Sequence, residues 1–78
     1  MDQIRTGEII RAMRLKKKMT QAALAEKIGV SDKAVSKWER GCGAPDVSIL
    51  PVLAAELGID MENLINGEME ENELINGN

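Results

Sequence analysis

The sequence predicts a compact all-α domain, and three features of its 78 residues indicate this fold class. First, the hydrophobic fraction of 44% comes mostly from Ala, Leu, Ile, Val and Met, because the chain has no Phe or Tyr and one Trp. An aliphatic core of this kind favours packed helices over a sheet. Second, apolar residues recur at helical spacing. Third, Gly and Pro residues separate short segments, and the length allows one small domain with at most a tail.

The first helix is predicted over residues 5–18. Its inner stripe has 4-3-4 spacing and is extended by Ile9; its members are Thr6, Ile10, Met13 and Lys17. Residues 16–18 are three lysines in the predicted last turn, where cations suit the negative end of the helix dipole. They serve either as steering charges for a polyanion or as a solubilising helix end, and both alternatives stay open.

Two short helices, residues 21–28 and 32–39, are predicted next. Thr20 and Ser31 precede them as candidate N-caps, since a hydroxyl can accept a hydrogen bond from an unpaired N–H of the first turn. Gly29 stands where a left-handed residue ends the earlier helix.

The later of these two helices has two different sides. Val35 and Trp38 are three residues apart and share the inner face, whereas Lys33, Ser36 and Lys37 lie on another face. Ala25 in the earlier helix is small enough to let the two helices approach closely. We expect the Trp38 ring to anchor the helix and to be only partly buried, because its indole N–H needs a hydrogen-bond partner or solvent.

A fourth helix is predicted to follow Ser48 as its N-cap, which places Pro51 at the third helical position, where a proline is tolerated. This helix runs to Gly58. Asp60 then caps a short fifth helix over residues 61–65. The domain is expected to cover residues 1–66.

Residues 67–78 are predicted to form an acidic tail or linker. The tetrapeptide "LING" occurs twice at a ten-residue offset, but two such copies do not make a repeat fold.

The charges are unevenly distributed along the chain. Residues 1–40 contain ten basic and five acidic residues, a net charge of +5, whereas the remainder contains eight acids and no base, a net charge of −8. The first part is therefore electrostatically suited to a polyanion, although the whole chain has a net charge of −3.

Several classes of function find no support in the sequence. There is no histidine, and the single cysteine, Cys42, has no second ligand and no base beside it, so we expect no disulfide, metal or cofactor. No Ser or Cys has a base partner and no phosphate-binding glycine loop occurs, so an enzyme is not expected. The N-terminus lacks the apolar core of a signal peptide, and no run could span a membrane, which makes the cytoplasm the expected location.

The segment "TQAALAEKIGVSDKAVSKWE", residues 20–39, has the arrangement of a helix-turn-helix. Together with "VSKWERG", "PD" and "LAAELGI", it resembles the phage-repressor/Cro-like helix-turn-helix family, also called the xenobiotic-response-element (XRE) family. The matching elements occur in the same order over about residues 6–66. The resemblance implies a compact five-helix lambda-repressor-like fold, with a motif at about residues 20–40 and double-stranded DNA as the partner.

The resemblance also implies roles for single residues. The base-reading positions map onto Asp32, Lys33 and Lys37, with Ser36 as their neighbour; lysine can donate to guanine, and an aspartate can accept from cytosine. Alternatively, Asp32 is only a partner of the helix dipole and the lysines form a solvated face. The phosphate-contacting positions map onto Gln21 and, less firmly, onto Thr20, Ser31 and Arg40.

Other residues would hold the recognition helix in place. The resemblance implies an ion pair between Arg14 and Glu39, and the remaining supporting positions are Ala25, Gly29, Val35 and Trp38. The loop "GCGAPD" has no Arg or Lys where some family members have them, so we expect fewer phosphate contacts per monomer.

The sequence therefore predicts a sequence-specific transcriptional regulator that acts as a homodimer on two half-sites. The aliphatic residues from Leu50 to Leu57, together with Leu64 and Ile65, form either the self-association surface or part of the core of a single chain. An alternative is a protein-interaction module, such as the antitoxin of a toxin–antitoxin pair, with a protein partner on the acidic tail. Another is the N-terminal part of a longer regulator with a zinc-ribbon-like region.

Overall fold

The computed structural model describes residues 1–68, and this part of the chain contains five helices and no strand. The helices are α1 (Gln3–Lys16), α2 (Gln21–Ile28), α3 (Asp32–Glu39), α4 (Leu50–Leu57) and α5 (Met61–Asn66). The predicted all-α, five-helix fold is confirmed. Most of the predicted acidic tail, residues 69–78, lies outside the described residues.

All five helices contribute to one apolar core. α1 packs against α3, α4 and α5, while α2 packs against α3 and α4. The buried apolar residues are Ile9, Ile10, Met13, Leu24, Ala25, Ile28, Val35, Trp38, Leu50, Leu53, Ala54, Leu57, Ile59 and Leu64. The helical stripes read from the sequence therefore converge on a single centre, with α3 at one side of it.

Helix α1 is displaced from its predicted bounds by two residues at each end. Its N-cap is Asp2, whose Oδ1 accepts hydrogen bonds from the backbone N–H groups of Ile4 and Arg5, each at 3.1 Å. At the other end, Lys18 has a φ of 58°, a left-handed conformation that ends the helix. The prediction over residues 5–18 missed the capping carboxylate and extended the helix through this turn.

The predicted start of α4 is wrong. Ile49, and not Ser48, occupies the N-cap position, and Pro51 is the second residue of the helix. The Ser48 hydroxyl instead donates to the Asp46 carboxylate at 3.1 Å, within the turn that precedes α4. Asp60 does occupy the N-cap position of α5, but its side chain makes no capping hydrogen bond.

Helix α5 closes the domain against the start of α1. The Thr6 hydroxyl donates to the Leu64 carbonyl at 2.9 Å, and the Arg5 Nε donates to the Gly67 carbonyl at 3.3 Å. Gly67 is buried and has a φ of 69°. Since both bonds join residues far apart in sequence, they fix the last helix to the first.

The leucines of α4 and α5 lie in the core. Four of them are at most 4% exposed: Leu50, Leu53, Leu57 and Leu64. Of the two alternatives left open by the sequence for these leucines, burial within one chain is the one observed. Ile65 is only half-buried, and Val52 at 37% and Met61 at 43% are exposed.

Candidate nucleic-acid interface

Helices α2 and α3 form the helix-turn-helix unit, and both start with the caps predicted from sequence. The Thr20 hydroxyl accepts from the Ala23 N–H at 3.0 Å, and the Ser31 hydroxyl accepts from the Ala34 N–H at 3.1 Å. Gly29 ends α2 with a φ of 77°, a conformation that is costly for residues with a Cβ. These three local features set the angle at which the chain leaves α2 and enters α3.

The inner side of α3 consists of Val35 and Trp38. Val35 is fully buried, and Trp38 is 7% exposed, so the prediction that the ring would be only partly buried was wrong. Its indole N–H makes no hydrogen bond to the described residues and reaches the surface, because no fully buried side-chain polar atom of these residues lacks a partner. The ring is thus a core anchor of α3.

Gly7 explains why Trp38 is buried so deeply. A Cβ placed on Gly7 would lie 2.1 Å from the Trp38 carbonyl oxygen, so only glycine lets α1 approach the end of α3 this closely. The predictions from sequence did not include this contact. The signal was a glycine inside a helical segment, which costs about 1 kcal/mol relative to alanine and calls for a packing reason.

The outer side of α3 presents polar side chains. Asp32, Lys33 and Lys37 are exposed, as a base-reading role requires. Ser36 is half-buried, and the Arg40 Nε lies 3.3 Å from its hydroxyl and from its carbonyl oxygen, donating to both. The structure therefore places Arg40 back along α3 and pairs it with Ser36, a contact that the sequence did not predict.

The predicted ion pair between Arg14 and Glu39 is present at the C-terminal end of α3. The Arg14 Nε and Nη2 donate to the two Glu39 carboxylate oxygens at 2.6 and 2.9 Å, and Nη1 donates to the Met19 carbonyl at 2.8 Å. The hydrogen bonds that Arg14 donates to Glu39 are the main cause that raises the pKa of Arg14; burial opposes this shift, and the Glu39 charge adds to it. Because the Arg14 and Glu39 side chains are 9% and 3% exposed, solvent screens this pair little.

Gln21, the predicted phosphate-contacting residue, belongs to the same cluster. It is the first residue of α2 and half-buried, and its Nε2 donates to the Glu39 Oε1 at 3.1 Å. Nothing in the sequence indicated this bond, since the two residues are 18 positions apart.

The three lysines at the end of α1, residues 16–18, differ in their surroundings. Lys17 lies against the end of α4, where a Cβ placed on Gly58 would be 3.4 Å from the Lys17 Nζ. A cation near a helix C-terminus is favourable, because the unpaired carbonyls there are partly negative. Lys17 thus lies at the end of another helix, and whether the three lysines steer a polyanion or solubilise the end of α1 stays open. Lys16 and Lys18 are exposed.

The loop after α3 offers backbone contacts and one thiol. The Cys42 N–H donates to the Lys37 carbonyl at 3.0 Å, and its exposed Sγ lies 3.7 Å from the Arg40 carbonyl. Among residues 1–68, no group of three or more His, Cys, Asp or Glu side chains could hold a metal ion, and no helix is long and apolar enough to cross a membrane.

Known proteins match most of this chain. A family model described as "Helix-turn-helix" matches residues 10–64. Repressor protein C2 of Salmonella phage P22 is 40% identical over 65 residues, which make up 83% of this chain and 30% of that protein. The HTH-type transcriptional activator BcrR of Enterococcus faecalis is 36% identical over 62 residues, which make up 80% of this chain and 30% of that protein.

A solved structure of the P22 protein is similar in fold as well as in sequence. The crystal structure of the P22 c2 repressor in complex with a synthetic operator matches with a TM-score of 0.77 and 41% identity, covering 81% of this chain and 96% of that one. The chain thus spans 30% of the length of each of the two relatives described above, and 96% of the chain in this solved structure. From the matching family model, the five helices in order and these relatives, we conclude that the chain belongs to the phage-repressor/Cro-like (XRE) helix-turn-helix family of DNA-binding regulators.

Proposed function

We propose that this chain is the sequence-specific, double-stranded DNA-binding domain of a transcriptional regulator, with α3 in the major groove. The observation that supports this most directly is the division of α3 into two sides. Val35 and Trp38 anchor its inner side in the core, while Lys33 and Lys37 are exposed on its outer side. A helix held on one side and free on the other can enter a groove without losing its packing.

The exposed side chains of α3 suit the edges of base pairs. Lys33 and Lys37 would donate to guanine O6 and N7, and Asp32 would accept from the amino group of cytosine. The Ser36 hydroxyl is in contact with Arg40, so we assign Ser36 the smallest share of base reading.

Phosphate contacts would come from the ends of α2 and α3. In their capping bonds Thr20 and Ser31 act as acceptors, so each hydroxyl keeps its hydrogen for a phosphate oxygen. Gln21 and Arg40 are the other two proposed contacts. Such bonds set the register of the domain on the duplex without reading sequence.

The distribution of charge along the chain also suits a polyanionic partner. All ten basic residues lie in residues 1–40, whereas every charged residue in 41–68 is acidic. The basic residues in 1–40 would attract a polyanion, and this steering weakens as salt is added. The "GCGAPD" loop lacks basic residues, so we expect a small number of phosphate contacts per domain.

Dimerisation on a two-fold pair of half-sites is part of the proposal. A single domain contacts too few base pairs to specify a genomic site, and a second copy doubles that number. The acidic tail as a contact for a protein partner, the boundary between domain and tail, and the cytoplasmic location also stay predictions.

Selection of bound duplexes from a random DNA pool tests the proposal. The wild-type chain should enrich one motif, and Lys33→Ala and Lys37→Ala should each relax it at a separate guanine, with a loss of about 1 to 3 kcal/mol of discrimination there. Lys27→Ala is the matched control, because Lys27 is an exposed lysine on α2 outside the proposed reading face. It should keep the motif.

Two outcomes would contradict this proposal. The absence of any enriched motif would argue against sequence-specific binding, and an unchanged motif in both α3 variants would argue against α3 as the reading helix. A chain that binds a protein partner but no DNA would instead favour the protein-interaction alternative.

A further inference from the structure

The Glu39 carboxylate of α3 is a shared hydrogen-bond acceptor for side chains of α1 and α2. Its Oε2 accepts from the Arg14 Nε of α1, and its Oε1 accepts from both the Arg14 Nη2 and the Gln21 Nε2 of α2. Glu39 itself is the last residue of α3, and its side chain is 3% exposed. A single buried carboxylate therefore joins the end of the proposed recognition helix to the first residue of α2.

This bond determines which way the Gln21 amide points. An ionised carboxylate only accepts hydrogen bonds, so Gln21 must turn its NH₂ group, and not its carbonyl oxygen, towards Glu39. The NH₂ group has two hydrogens, and Glu39 uses one of them. Neither the second hydrogen nor the carbonyl oxygen of Gln21 is bonded to another described residue.

We propose that Glu39 is a positioning residue for DNA binding, because it holds the Gln21 amide so that the second Nε2–H donates to a DNA phosphate. A free glutamine amide can present either its donor or its acceptor end, and only the donor end bonds a phosphate oxygen. The inference rests on the proposed function and adds a residue that does not itself touch DNA.

Arg14 makes this arrangement compatible with a nearby phosphate. Alone, the Glu39 carboxylate would repel a phosphate, but the Arg14 guanidinium binds both of its oxygens and balances its charge. The cluster therefore presents a neutral, oriented donor instead of a negative charge.

Single methylphosphonate substitutions in the selected duplex test the inference, because each removes the charge and one acceptor oxygen of a chosen phosphate. Wild-type binding should weaken at each phosphate that the domain contacts, including the one bonded by Gln21. Gln21→Ala should weaken binding to the unmodified duplex about tenfold, the loss of one hydrogen bond to a charged group, and should be insensitive at that phosphate. Gln3→Ala is the matched control, since Gln3 is the exposed first residue of α1, and it should behave as wild type.

Glu39→Ala separates positioning from structural support, because it removes both acceptor oxygens, whereas the carbonyl oxygen of a glutamine can still accept from Gln21. If Glu39 orients Gln21, this variant loses sensitivity at the same phosphate, in addition to any uniform loss of affinity. Retained sensitivity at that phosphate would overturn the inference while leaving the proposed function intact. A wild-type chain that selects no duplex at all would overturn both.

A measurement on the wild-type chain without DNA covers the case in which Glu39→Ala does not fold. In nuclear magnetic resonance spectra, one Nε2 proton of Gln21 should exchange with solvent several-fold more slowly than the side-chain amide protons of Gln3. Equal exchange rates in the two side chains would show that Glu39 does not hold the amide, and would overturn the inference.

Discussion

Helices α3 and α4 are both eight residues long, yet they are held in the domain in opposite ways. Four of the eight residues of α3 are charged, and two are buried; α4 has one charged residue, Glu56, and four buried ones. α3 starts with a bonded Ser31 cap, whereas α4 starts without any side-chain cap. The anchors of α3 are Val35, Trp38 and the ion pair of Glu39.

The difference shows how one small domain provides both a core and a free surface. α4 is stabilised mainly by burial of apolar area, which makes its exact start unimportant and its local sequence signals weak. α3 has fewer buried residues and depends on a few individual contacts, namely the Ser31 cap, the ion pair of Glu39 and the burial of Trp38. Its exposed side chains are therefore free to contact a partner, and these are Asp32, Lys33 and Lys37.

Trp38→Ala tests the apolar anchor of α3 and should have the largest effect. Removal of a nearly fully buried ring leaves a cavity and should lower the free energy of unfolding by about 3 to 5 kcal/mol, measured by urea denaturation. The control is Val52→Ala, on the partly exposed side of α4, which should cost far less. Similar losses in the two variants would mean that α3 is not held by its ring.

Gly7→Ala tests the close approach of α1 to the end of α3. Alanine favours a helix by about 1 kcal/mol, but its Cβ would overlap a backbone oxygen that cannot move without α3. Overpacking costs about 1 to 3 kcal/mol, and a clash with backbone belongs at the upper end, so we expect a net loss of about 2 kcal/mol in the free energy of unfolding.

Gly43→Ala is the matched control for that substitution, since the nearest atom to a Cβ there is the Lys37 Cε at 3.9 Å. Its stability should be unchanged or slightly raised, because alanine lowers the entropy of the unfolded chain. A stabilised Gly7→Ala chain would show that α1 and α3 are not in this close contact.

A comparison of Ser31→Ala with Ser48→Ala tests the difference between a capped and an uncapped helix start. We expect it to give the smallest change in stability. Loss of the Ser31 cap should cost about 1 kcal/mol, whereas Ser48 caps nothing and its replacement should stay within about 0.5 kcal/mol of wild type. Thermal unfolding followed by circular dichroism measures both. Equal losses would contradict the assignment of Ile49 as the N-cap of α4.

The sequence alone determined the fold class, the bounds of α2 and α3, and which side of α3 is buried. It could do so because caps, left-handed glycines and helical periodicity depend on residues no more than four positions apart. The ion pair between Arg14 and Glu39 was reached through the family resemblance, and the structure contains it. The base-reading and phosphate-contacting roles stay predictions.

Only the tertiary structure decided the contacts between distant parts of the chain. The depth of Trp38 depends on Gly7 in another helix, and the orientation of Gln21 depends on a carboxylate 18 residues away. The start of α4 depended on whether Ser48 bonds the helix or Asp46. Such choices are made by packing distances and hydrogen-bond directions in three dimensions, which residue types and spacings along the chain do not contain.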